Sequence, residues 1–243
     1  TVTEHSDAKN RQVIRTLHRK NPEAIIAVVG CYAQIDPETI ASIEGVRLVI
    51  GSEEKMRVTD YLAQAFTQNT PLIIHPKISK DTFTAPVIPH SLAFLAKNQD
   101  KQIKTVERDS VSTNSELQYP DASVTREKTR ALLKIQDGCD FMCSFCIIPF
   151  ARGRSRHRDF SNLQEEARML VQEGAQEIVI TGVNVGTYKT RELTIVDVVD
   201  FLNNLPGLAR IRISSIEPTT VPEILFQYMS DPQHKLVPFL HLP

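Results

Sequence analysis

Residues 131–158 read ALLKIQDGCDFMCSFCIIPFARGRSRHR, and the organisation of the chain is legible outward from this stretch. Ala131 to Gln136 has the composition of a strand, and Asp137-Gly138 marks a turn into a loop that holds Cys139, Cys143 and Cys146 at C-x3-C-x2-C spacing. The chain has 4 cysteines and no secretory signal core, so this trio points to metal or redox chemistry rather than to disulfides. A structural zinc site needs a closed shell of four ligands, with His157 or a more distant residue as the fourth. An iron–sulfur cluster on three cysteines leaves one iron open to an outside ligand, which suits catalysis better than simple electron transfer.

Downstream, Ser161 and Gln164 have capping-box spacing ahead of an apolar helical stripe at Leu163, Ala167, Leu170 and Val171. Strands are expected at Glu177–Thr181 and Arg210–Ser214, helices at Ile195–Leu202 and Val221–Met229, and the beginning of a fourth strand at Val237–Leu240. Strand-helix units with chemistry at the strand ends predict a β/α barrel, present only in part, whose site lies at the C-terminal face of the strands.

Upstream, Ser6–Arg19 reads as a helix closed by Asn21-Pro22, and Ile25–Val29 and Val46–Ile50 as buried parallel strands. Asp36 with Pro37 predicts a helix start, and Met56–Phe66 a further helix. Residues 1–70 thus form a parallel α/β domain. From 71 to 128 the periodicity fails among prolines and polar residues, which predicts a linker, and the barrel domain occupies 129–243. The overall fold class is α/β.

The formal net charge of −1 conceals a basic run of Arg152, Arg154, Arg156, His157 and Arg158 just beyond the cysteines. Closely spaced guanidiniums engage successive phosphates, so these arginines are candidate RNA-binding residues, and Lys189 and Arg191 extend the surface; a solvated charged loop is the competing reading. No stretch approaches the ~18 apolar residues that a membrane helix requires. A cytoplasmic protein without membrane association is expected. The chain begins at Thr1 inside a helical segment and stops at Pro243 after an apolar run, and it reads as an internal piece of a longer protein.

With Phe145 in the pattern C-x3-C-x-aromatic-C, the loop resembles the signature of the radical S-adenosylmethionine (SAM) superfamily. The resemblance implies a [4Fe-4S] cluster on the catalytic trio Cys139, Cys143 and Cys146, with SAM chelated at the open iron through its amino and carboxylate groups. Reductive cleavage of the sulfonium then yields a 5′-deoxyadenosyl radical, and Phe145 stands beside the adenine. TGVN, Thr181 to Asn184, lies where the family receives the SAM amino group, making Gly182 and Asn184 candidates; a plain turn glycine is the alternative. SSIEP, Ser214 to Pro218, adds Ser214 and Glu217 as residues that could face ribose or substrate, although Glu217 also suits a helix start.

The likeness extends to the methylthiotransferases through VVGCYAQ (Val28 to Gln34), CIIPFARGRSRHR and LHLP (Leu240 to Pro243). It implies that Cys31 is one ligand of a second, auxiliary [4Fe-4S] cluster. The family's other two N-terminal cysteines and its RNA-binding β-domain have no counterpart here. In this family one SAM supplies a methyl group to sulfur and another supplies the radical. VITGVNVGTY is most similar to the branch acting on threonylcarbamoyl-adenosine at position 37 of tRNA. The other branches take isopentenyl-adenosine in tRNA or an aspartate of a ribosomal protein. The implied partners are the tRNA anticodon loop and a reducing electron donor, with the protein acting as a monomer. A zinc-stabilised RNA-binding module is the reading from a different class.

Overall fold

The computed structural model describes residues 3–68, 70–80, 82–87 and 129–243. Helix α1 (Glu4–Lys20) starts at Thr3, whose side chain accepts the Ser6 N–H, and carries acids in its first turn and bases in its last, as the helix dipole favours. The apolar run that follows forms β1 (Ile26–Val29), and Gly30, at φ 112°, turns the chain into α2 (Cys31–Ile35). That helix was not legible in the sequence. Its polar neighbours carry no helical stripe, and the left-handed glycine supplies the bend.

After α3 (Pro37–Ala41) come β2 (Val46–Ile50), α4 (Val58–Thr67) and β3 (Leu72–Ile74). The three strands pair in parallel in the order β1-β2-β3. β3 lies inside the stretch expected to be linker, because three apolar residues among prolines give too short a signal. Apart from Arg47, β2 is apolar and contributes to the core on both faces because both are covered. Val46 and Val49 join Ile14, Tyr32, Ile40 and Ile43, while Leu48 and Ile50 pack with Ala65 of α4.

The second half begins with β4 (Arg130–Lys134) and β5 (Gln136–Asp137), followed by α5 (Ile148–Arg152) and β6 (Arg156–His157). Then come α6 (Phe160–Gln172), β7 (Glu177–Thr181), the hairpin β8 (Lys189–Thr190) and β9 (Leu193–Thr194), α7 (Ile195–Asn203), β10 (Arg210–Ile213) and α8 (Ile224–Ser230). β4, β7 and β10 form one parallel sheet with sequential neighbours side by side, as successive β/α units of a barrel require. Leu133, Ile135, Ile178, Ile180, Ile211 and Ile213 meet Leu163, Leu170, Val198 and Leu202 from the helices in one core. Each such fully buried aliphatic side chain contributes ~1.5–3 kcal/mol.

Two local expectations are corrected. Helix α6 is capped by Asp159, whose carboxylate accepts the Asn162 N–H at 3.0 Å, and not by Ser161. The capping box belongs instead to Thr194 and Asp197 at α7. The expected strand at Val237–Leu240 reduces to isolated bridges of Leu236 with Ile211 and of His241 with Ser215, so the segment follows the edge of β10 without a continuous ladder. At the opposite, starting end of the sheet, the buried carboxylate of Glu177 receives Arg130 at 2.8 Å, Arg212 at 3.0 Å and Arg210 at 3.2 Å. Among the described residues no helix is long and apolar enough to cross a membrane. Residues 88–128 of the expected linker lie outside the described residues.

Candidate active site at the strand ends

The cysteine loop leaves the C-terminal end of the first barrel strand and is clamped at its base. β5 and β6 pair antiparallel, Gln136 opposite His157 and Asp137 opposite Arg156, and the Cys139 N–H donates to the Gly153 carbonyl at 3.1 Å. Gly138 sits at φ +70°, and a Cβ there would lie 2.1 Å from the Arg154 carbonyl oxygen. Only glycine fits this crossing. Farther out, the Phe141 N–H donates to Cys139 Sγ at 3.4 Å, and the Cys146 N–H closes a turn onto the Cys143 carbonyl at 3.0 Å. Burial pushes the Cys139 thiol above its ordinary pKa, and the Phe141 N–H opposes that shift. All 4 cysteines are free thiols, and Phe145 is 91% exposed at the tip.

No three of the described His, Cys, Asp and Glu side chains are grouped so as to hold a metal ion. His157, the nearest candidate for a fourth zinc ligand, lies edge-on to Tyr188 with ring centroids 5.9 Å apart. A cluster assigns one thiolate to each iron, so its ligands stand apart around it. Three free thiols on one loop, with a backbone N–H directed at one sulfur, have the donor chemistry such a cluster takes.

Beneath the loop lies a residue that the sequence reading missed. Gln136 is fully buried, and its Oε1 accepts the Val183 N–H at 2.8 Å and the Asn184 N–H at 3.0 Å. Its Nε2 reaches the Gly138 carbonyl at 2.6 Å, the Asp137 carbonyl at 3.1 Å and Ser155 Oγ at 3.0 Å. One side chain therefore joins the root of the cysteine loop to the TGVN loop after β7. A Cβ on Gly182 would come within 2.9 Å of Gln136 Oε1, which explains the glycine there. The available signal was a neutral polar side chain directly after Ile135, at the foot of the cysteine loop.

Asp137 is a second missed residue. Its buried carboxylate meets Lys134 at 2.5 Å, Arg152 at 3.8 Å, and Lys55 and Arg156 at 3.9 Å each. Burial alone would raise its pKa; Lys134 first, then Lys55 and Arg152, outweigh that cost and hold it below the usual carboxylate range. Burial conversely lowers Lys134, with Asp137 opposing. We read the contact as an ammonium–carboxylate pair, because the other cations around Asp137 also favour its ionised form. Arg152 further donates through Nε to Cys31 Sγ at 3.4 Å, so the N-terminal cysteine stands beside the first turn beyond the loop. α2, which carries Cys31, packs against α5.

The remaining candidates divide. Asn184 is buried, and its Oδ1 accepts the Glu217 N–H at 3.2 Å and the Thr220 hydroxyl at 2.9 Å, while its Nδ2 lacks a partner. It thereby ties the loop after β7 to the loop after β10. Ser214 follows β10 with its N–H on the Ile180 carbonyl at 3.0 Å, so Gly182, Asn184, Ser214 and Glu217 occupy adjoining strand ends. The basic run is not a uniform RNA surface. Arg158 is fully buried, paired with Glu166 and bonded to Asn162 Oδ1 at 2.8 Å. Arg156 is buried against Glu53 at 2.6 Å. Both are thus corrected from phosphate contacts to internal ion pairs, since a guanidinium enclosed with its counter-ion has no face left for RNA. Arg154 remains exposed, with Arg152 partly so.

Residues 133–228 match the Radical SAM superfamily, and residues 1–51 match the uncharacterized protein family UPF0004. The whole chain aligns with the threonylcarbamoyladenosine tRNA methylthiotransferase MtaB of Bacillus subtilis (strain 168) at 34% identity, covering 47% of that protein. The MtaB of Aquifex aeolicus is 27% identical over 100% of this chain and 51% of its own length. A tRNA-2-methylthio-N(6)-dimethylallyladenosine synthase of Roseobacter denitrificans is 30% identical over 95% of this chain and 46% of its own. The chain spans about half the length of the curated relatives it matches. With its cysteine loop at the mouth of a parallel β/α sheet, the chain carries a radical SAM domain over residues 133–228, and from end to end it is similar to proteins named as tRNA methylthiotransferases.

Proposed function

We propose that the protein adds a methylthio group to N6-threonylcarbamoyladenosine at position 37 of tRNA, and that this chain carries its radical-generating centre. The observation that carries the reading is the cysteine loop anchored by Gln136 to the TGVN loop, in a chain similar over its full length to proteins named for that reaction. Cys139, Cys143 and Cys146 would hold a [4Fe-4S] cluster, which would supply the single electron for reductive cleavage of SAM.

The chain's own residues do the positioning. Gln136 fixes the root of the loop, Phe145 offers an exposed ring for the adenine, and the adjoining ends of β7 and β10 bring Gly182, Asn184, Ser214 and Glu217 to the same mouth. The buried Asn184 acts by aligning the Glu217 backbone. Cys31, beside Arg152, is our candidate ligand for an auxiliary cluster. Arg154, with Lys189 and Arg191, is exposed to meet an anticodon loop whose base is splayed from its stack.

The test is nucleoside mass spectrometry of tRNA from cells lacking the parent gene. Loss of the methylthio mark on threonylcarbamoyladenosine, restored by the wild-type gene and not by one with Cys139, Cys143 and Cys146 replaced by Ala, is expected. Loss from dimethylallyladenosine instead would support the second reading, which the Roseobacter relative favours. Restoration by the triple variant would refute the site.

A further inference from the structure

Outside the strand-end site, the groove between α1 and the C-terminal end of α3 is a cavity of about 530 Å³ with a strongly basic wall. Arg11, Arg15 and Arg19 stand at i, i+4 and i+8 on α1, so they follow one another at ~6 Å along a single face of the helix. Thr39 lines the other wall, and His18 and Glu44 close one end with a 3.5 Å contact. No acidic residue follows Asp7 in α1. The helix dipole accounts for His18, Arg19 and Lys20 in the last turn; it does not account for Arg11 and Arg15 in the middle.

The partners of these arginines leave charge in the groove. Arg11, whose guanidinium is charged whatever its partners, donates to the neutral Tyr32 hydroxyl at 2.8 Å, with weaker attraction from Asp7 and Asp36. Arg19 donates to the neutral Thr16 hydroxyl at 3.4 Å. Tyr32 is the residue after Cys31 on α2, and α2 packs against α5 of the barrel half. The basic row therefore starts at the helix that joins the two halves and leads away from the mouth.

We propose that this groove binds the sugar-phosphate backbone of the RNA substrate at a distance from the reacting base. A single anion is best held by donors that converge, whereas guanidiniums spaced along one helix face suit successive phosphates of one strand. The inference rests on the RNA-substrate reading above, and it adds a second point of contact that orients the RNA without reading its sequence.

The experiment is tRNA binding to the full-length protein by fluorescence anisotropy across a salt series, with the wild type, the R15Q/R19Q double variant and R57Q as a control on an arginine already paired with Glu54 and Asp60. The double variant should keep its melting temperature, bind about tenfold more weakly at low salt, and show a salt slope shallower by ~1.5, from ~0.7–0.9 per lost phosphate contact. R57Q should match the wild type. Equal affinity and slope in the double variant would overturn the groove while leaving the RNA substrate intact; a wild type that binds no tRNA would overturn both. If inorganic phosphate stabilises the wild type and not the double variant, and tRNA binding is equal, the groove is a small-anion site and the proposal fails. Protection of Arg15 and Arg19 from phenylglyoxal in the RNA-free protein would mean that its own chain covers the groove, and would also overturn it.

Discussion

Gln136 shows how much of the site depends on one neutral side chain. Replacing it with Leu keeps the volume and strands the Val183 and Asn184 N–H groups and the Gly138 carbonyl, each unsatisfied buried group costing ~1–3 kcal/mol. Gln136→Leu in the full-length protein should retain iron and sulfide yet bind SAM at least tenfold more weakly by calorimetry. Gln136→Glu, which still accepts but cannot donate to Gly138, should fall between them. SAM binding equal to wild type in both variants would remove Gln136 from the site. The cysteines were legible because their spacing is local and their chemistry unusual. Gln136 was not, because its meaning lies in partners 47 and 48 residues away. The basic run misled in part for a related reason: sequence displays the charge of Arg156 and Arg158 but not the carboxylates of Glu53 and Glu166 that face them.

Among the elements, the short β5–β6 ladder is the clamp of the loop, and Asp137 is its electrostatic centre. Because its folded pKa lies below the ordinary 3.8, its contribution to stability is complete above that value and is lost as pH falls through the folded one. Asp137→Asn should therefore cost ~3–5 kcal/mol at neutral pH, the scale of a broken buried ion pair, with the difference from wild type closing in acid. Chemical denaturation of both proteins across pH 2–7 measures this; a gap independent of pH would show that Asp137 acts through shape alone. Long periodic elements such as α6, α7, β2 and β7 were readable from apolar spacing. The clamp strands span two residues each, too few for any period to register.

Over the whole molecule, the two halves meet through Glu53 with Arg156, Lys55 with Asp137, the Ser52 hydroxyl on the Ala151 carbonyl at 2.6 Å, and Arg152 with Cys31. These contacts join positions about a hundred residues apart, which explains why the alternation of strands and helices foretold both halves and not their junction. The far end of the sheet is organised by a different rule. There Glu177, on the central strand β7, answers three arginines from the two strands that flank it, Arg130 of β4 and Arg210 and Arg212 of β10, with burial raising its pKa and Arg212 and Arg130 pulling it lower still.

Such a floor is an anion trap kept shut by its own carboxylate. Glu177→Gln would leave a tripod of guanidiniums facing solvent, and the protein would become a halophile in miniature: unstable in dilute buffer, and recovering as sulfate takes the vacated seat. Its melting temperature should climb with sulfate far more steeply than that of the wild type and only weakly with chloride, and parallel curves for the two proteins would show that the arginines repel one another too little to matter.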